Sequence, residues 1–79
     1  MRIISQDGCS DLSYEYCSLE LDGKKKCKIQ AMRIGDNFGL EIAEYSDEEK
    51  AKRALRKLHE VYRESDGNGI FQFPGEYEI

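Results

Sequence analysis

Tryptophan is absent from this chain, and proline and histidine occur once each. The three cysteines form an odd set with no C-x-x-C pair, so no disulfide framework is indicated. Cys9, Cys17, Cys27 and His59 are the whole stock of soft metal ligands, and their spacing matches no familiar zinc pattern. With a single histidine, a cysteine nucleophile has almost no choice of base. The carboxylates read as helix-start and surface charges rather than as an acid–base pair. Gly35 and Gly39 flank a turn, but no Gly-Lys-Ser or Gly-Lys-Thr follows to make a phosphate loop. Catalysis, a cofactor and a bound metal are therefore not expected. No stretch approaches the ~20 apolar residues of a membrane span. The opening residues carry no apolar leader, so a cytoplasmic location with reduced thiols is expected.

What is present is short and charged. The 79 residues carry 12 Lys+Arg against 16 Asp+Glu, a formal charge of −4. That length accommodates one domain, 1–79, and the acidic balance disfavours direct nucleic-acid binding. A domain this small buries only about 60% of its unfolded surface. Disulfides, a metal or oligomerisation commonly supplement such a core. With the first two unsupported, a homo-oligomer is the expected state.

Patterning along the chain predicts β-β-β-β-α-β. A first strand covers 2–5, and Asp7-Gly8 marks a turn. The segment 9–13 reads as a polar connection. From 14 to 21 the residues alternate, with Cys17, Leu19 and Leu21 on one face and Tyr14, Tyr16, Ser18 and Glu20 on the other. Asp22-Gly23 signals a hairpin returning over 25–34. A two-residue loop would set Leu19 opposite Lys26. A three-residue loop, 22–24, sets Leu19 opposite Cys27, Cys17 opposite Ile29 and Glu15 opposite Ala31, with Glu20 opposite Lys26 outside. Burial favours the latter.

After a turn at 35–39, a strand over 40–45 places Leu40 and Ile42 on one face. Ser46 and Glu49 read as a capping box for a helix over 47–64. Its stripe is Ala51, Ala54, Leu55, Leu58, Val61 and Tyr62, opposite a wet face of mixed charge. The segment 65–69 stops the helix, 70–73 is a last strand, Pro74 ends it, and 75–79 is an acidic tail.

The expected fold is α+β: a small antiparallel sheet of four to five strands with one helix packed on one face. One helix covers one sheet face only. The other face, with Tyr14, Tyr16, Lys26, Lys28, Gln30 and Met32, is either simply solvated or a contact surface. Tyrosine rings beside lysines suit a stacked, phosphate-bearing ligand. The candidate ligand set is Tyr14, Tyr16, Lys24, Lys25, Lys26, Lys28 and Arg33. Ile70, Phe71 and Phe73 are candidate interface residues if the last strand lies at a sheet edge.

Met1-Arg2-Ile3-Ile4-Ser5-Gln6-Asp7-Gly8, Tyr14-Glu15, Ala43-Glu44-Tyr45-Ser46 before Glu48-Glu49-Lys50-Ala51, and Phe71-Gln72-Phe73-Pro74 occur in that order along nearly the whole chain. In these landmarks the chain resembles a group of short proteins of Clostridium-type Gram-positive bacteria and their phages. The hairpin, with Cys17, Cys27 and the lysine run, is where this chain departs. The landmarks carry no chemistry, so no site residue transfers from them. The resemblance implies an accessory, anti-defence role. One form is a homo-oligomeric sponge for a nucleotide-derived immune signal, such as a cyclic nucleotide or cyclic ADP-ribose type. The alternative is an anti-CRISPR-like inhibitor that binds a host defence protein. The modest net charge and mixed helix face argue against imitation of nucleic acid.

Overall fold

The computed structural model describes residues 1–24, 27–35 and 39–79. Six strands and one helix occur in the order β1 (Arg2–Ile4), β2 (Asp11–Ser13), β3 (Cys17–Leu21), β4 (Lys28–Arg33), β5 (Leu40–Glu44), α1 (Glu48–Glu64) and β6 (Ile70–Gln72), with a 3-10 turn at Tyr14–Tyr16. The class is α+β, as the patterning implies. The strands, however, divide into two three-stranded sheets, ordered β2-β1-β6 and β3-β4-β5. The radius of gyration, 11.7 Å, matches the ~11.6 Å of a folded chain of this length.

The division begins at the 3-10 turn. Glu15 accepts two hydrogen bonds from the Met1 α-amino group, at 2.6 and 2.8 Å. Tyr14 N–H donates to Met1 O at 2.9 Å, one step beyond the β1–β2 ladder. These bonds hold 14–16 out of strand geometry, so the alternating run becomes a strand only from Cys17.

In the first sheet, β1 is antiparallel to β2 and parallel to β6. The segment 9–13, read as a connection, supplies β2. Register sets Leu12, Ile3 and Phe71 in one row across three strands, and all three are buried. That row is the inner face of the sheet.

The second sheet is antiparallel. Its hairpin pairs Leu19 with Ala31, Cys17 with Arg33 and Leu21 with Ile29, closed by Asp22 N–H to Lys28 O at 2.9 Å. The three-residue loop is thus corrected to a connection spanning 22–27. Each partner moves by four residues, an even number, so the same side chains keep the same face. The expected opposition of Glu20 and Lys26 is replaced by Glu20 and Gln30; Lys25 and Lys26 themselves lie outside the described residues, as do 36–38 of the second turn.

Between β4 and β5 the register slips at Ile29/Gln30, pairing Ile29 with Ala43 and Gln30 with Glu41. Ile42 is the extra residue, and Ile42 and Ala43 are both buried. A bulge of this kind interrupts the two-residue alternation.

Helix α1 packs against β4. Ala51, Ala54 and Leu58 are buried, with Leu55, Val61 and Tyr62 partly so, as the stripe requires. The cap differs from expectation. Asp47 is the N-cap, its Oδ1 accepting from Lys50 N–H at 2.8 Å. Ser46 instead gives its backbone N–H to Glu76, 3.1 Å from both carboxylate oxygens. The segment read as a tail is therefore docked. Lys50 Nζ also meets Glu76 at 3.0 Å, and Ile79 packs on the core. Phe73, Ile3, Ile29 and Leu58 are the largest fully buried side chains. Truncating any of them to alanine should cost about 3 kcal/mol.

Candidate functional site

The outer face of the β3-β4-β5 sheet has two different ends. At one end Lys28 Nζ lies 3.4 Å from Glu41 and 3.7 Å from Glu44. Three positions apart on a regular strand, these carboxylates would face opposite ways. The extra residue Ile42 brings both to the lysine. The Lys28 ammonium is held above its ordinary range, chiefly by its hydrogen bond to Glu41. Next to it, Gln30 Nε2 donates to Asp22 Oδ2 at 2.9 Å.

At the other end the face is apolar. Ile34 N–H donates to Tyr16 O at 3.1 Å, extending the β3–β4 register by one pair. Met32 falls on the face of β4 opposite Ile29 and Ala31, and Tyr16 and Ile34 stand just beyond the ladder at the same end of the hairpin. Tyr16, Met32 and Ile34 are 68%, 36% and 78% exposed. Monomeric surfaces carry single apolar residues routinely, but neighbouring ones of this size mark contact sites.

The described members of the candidate ligand set are not gathered on this face, and Lys25 and Lys26 lie outside the described residues. Tyr14, expected beside Tyr16, is turned onto the helix by the 3-10 turn. Its ring stacks on Tyr62 with centroids 4.1 Å apart, and its hydroxyl meets His59 Nδ1 at 3.0 Å. Burial pushes the Tyr14 phenol up. Lys28 is neutralised as described. Lys24 is exposed in the hairpin connection, its N–H donating to Asp22 Oδ1 at 2.7 Å. Arg33 lies opposite Cys17 in the register. Of its described members, Tyr16 is the one that stands at the apolar end.

The candidate interface residues also separate. Strand β6 does lie at a sheet edge. Phe71 and Phe73 nevertheless point inward, packing edge-to-face with centroids 5.3 Å apart, while Ile70 is 62% exposed. The period-two pleat sends alternate side chains into the core, so Phe71 and Phe73 are corrected from interface to core residues.

The thiols are unpaired: Cys9 is exposed, Cys17 and Cys27 half-buried. Burial pushes the Cys17 thiol up, away from the thiolate. Among the described residues, no group of three or more His, Cys, Asp and Glu side chains is placed to hold a metal, and no helix is long and apolar enough to cross a membrane.

Ile34 falls inside the expected strand 25–34, but nothing local in the sequence shows that its partner across the hairpin is Tyr16. Comparison with protein-family models, curated proteins and solved structures finds no match to the chain.

Proposed function

We propose that the protein is a non-enzymatic, self-associating binding module, in the accessory anti-defence role that its sequence resemblance implies, and that its contact surface is the apolar end of the β3-β4-β5 outer face. The observation that carries this reading is the exposure of Tyr16, Met32 and Ile34 together at the end of the β3–β4 hairpin where Ile34 N–H meets Tyr16 O. The occupant is a second copy of the chain. At 79 residues with three unpaired thiols, this core gains no cross-link, and association is the remaining common device for small domains. A two-fold pairing sets the same patch on itself. Tyr16 is the natural anchor, since tyrosine offers large area at little entropic cost. The charged end, with Glu20, Glu41 and Glu44, repels its own copy and confines the overlap to the apolar end.

Two features support binding rather than catalysis. His59, the one histidine, is engaged by the Tyr14 hydroxyl, and among the described residues no thiol is hydrogen-bonded to a side-chain base.

The test is native mass spectrometry of the wild type and of a Tyr16→Ser/Ile34→Asp variant. A wild-type dimer or higher oligomer, reduced to monomer in the variant with an unchanged far-UV circular dichroism spectrum, is expected. A wild-type monomer at about 100 μM would remove the proposal, because a useful homodimer is populated at that concentration.

A further inference from the structure

Several of the described lysines and arginines are neutralised in place. Arg2 pairs with Asp11, Lys28 with Glu41 and Glu44, Lys50 with Glu76, and Lys52 with Glu48. Three cations of α1 are different. Arg53, Arg56 and Lys57 share a helix face with Glu60, at spacings of three, four and seven. With Glu78 and Ile79 they line a hollow of about 210 Å³ beside the exposed face of the helix. Among the described residues none of the three has an ion pair or hydrogen bond. Glu60 and Glu78 line the same hollow without closing onto them. Arg53 is like-charged with Arg56 and Lys57 at these spacings, a small cost that Glu60 beside Arg56 and Lys57 offsets only in part and that a bound anion relieves further.

We propose that this hollow binds a phosphomonoester of sugar size, either free or as the phosphorylated end of a nucleotide. The chemistry of the lining selects it. Two guanidinium forks match the oxygens of a phosphate in two-point contacts, and Lys57 adds a point charge. Glu60 and Glu78 accept hydrogen bonds from hydroxyl groups and repel a ligand bearing many negative charges. Ile79 supplies an apolar wall. The volume is below the ~300 Å³ at which pockets for drug-sized ligands begin, so its size suits a phosphorylated pentose better than a cyclic dinucleotide. The site shares no residue with the sheet face proposed for self-association.

Amide chemical-shift titration of the wild type with inorganic phosphate, ribose 5-phosphate, AMP and unphosphorylated ribose tests the proposal. Ribose 5-phosphate or AMP should shift amides of 53–60 and 78–79 in a saturable way. Saturation by both assigns the sugar phosphate as the recognised unit, and saturation by AMP alone assigns the nucleotide. Arg53→Gln/Arg56→Gln should weaken binding about tenfold or more, as expected for lost charge-assisted contacts. Glu78→Gln should tighten it a few-fold, a gain that misfolding does not produce. The same titration on the Tyr16→Ser/Ile34→Asp variant should be unchanged, which separates this site from self-association. Absence of saturable shifts at up to about 10 mM of every phosphate ligand would overturn the proposal. So would equal shifts with ribose, or equal affinity in the double-arginine variant.

Discussion

Tyr14 lies flat on Tyr62, ring centroids 4.1 Å apart and planes 22° from parallel, and this stack clamps the turn between the two sheets onto the last turns of α1. Gly67 closes the arrangement from the other end. Its N–H donates to Tyr62 O at 3.0 Å, its φ is +79°, and a Cβ there would sit 3.3 Å from the Tyr62 ring.

The stack should matter more than the hydroxyl it carries. Tyr62→Ala removes the ring contact, worth about 1 kcal/mol beyond area, together with partly buried apolar surface. A total of about 2–3 kcal/mol is expected, lowering Tm by roughly 10–15 °C in a domain of this size. Tyr14→Phe keeps the stack and loses the bond to His59, so it should cost no more than about 1 kcal/mol. Gly67→Ala should also destabilise, through its left-handed backbone. Thermal melts of the three variants check the order; equal costs for Tyr62→Ala and Tyr14→Phe would contradict it.

The helix start makes a second discrimination. The sequence pattern points to Ser46 as the capping residue, and the structure uses Asp47. Asp47→Ala should therefore cost about 1 kcal/mol. Ser46→Ala should cost less than half as much, because the backbone N–H that holds Glu76 survives the change. Urea midpoints of the two variants, with m unchanged, separate the assignments.

What the sequence made legible follows from local rules. The stripe of α1 came from spacing alone, and the faces of β3 and β4 survived a wrong loop length because the error was even. The less legible features rest on contacts between distant residues. Glu15 meets the Met1 amino group fourteen residues back, which removes Tyr14 and Tyr16 from the strand. The extra residue Ile42 turns Glu41 and Glu44 toward Lys28, so a lysine read as a ligand contact is already neutralised. A short polar strand such as Asp11–Ser13 has no pattern of its own; it forms because Leu12 completes the row with Ile3 and Phe71. The cations of α1 read as a solvated face, since nothing local shows that Glu78 and Ile79 fold back beside them.

Tyr45 supplies a prediction in pH. It is 3% exposed, and its hydroxyl donates to Pro74 O at 2.7 Å. Burial, then the nearby Glu76 and Glu78, push its phenol from 10.0 up to about 12. The unfolded chain thus loses this proton near pH 10 while the folded chain keeps it to about pH 12. Across that window the unfolded state binds fewer protons, so stability falls as pH rises; below pH 10 the contribution is fully present. The fall assigned to this group is on the order of 2 kcal/mol. Tyr45→Phe should be about 1 kcal/mol less stable than wild type at neutral pH, through the lost bond to Pro74. From pH 10 to 12 its denaturant midpoint should fall less steeply, so the two proteins converge in stability. Parallel curves across that range would show that Tyr45 does not hold its proton in the folded state.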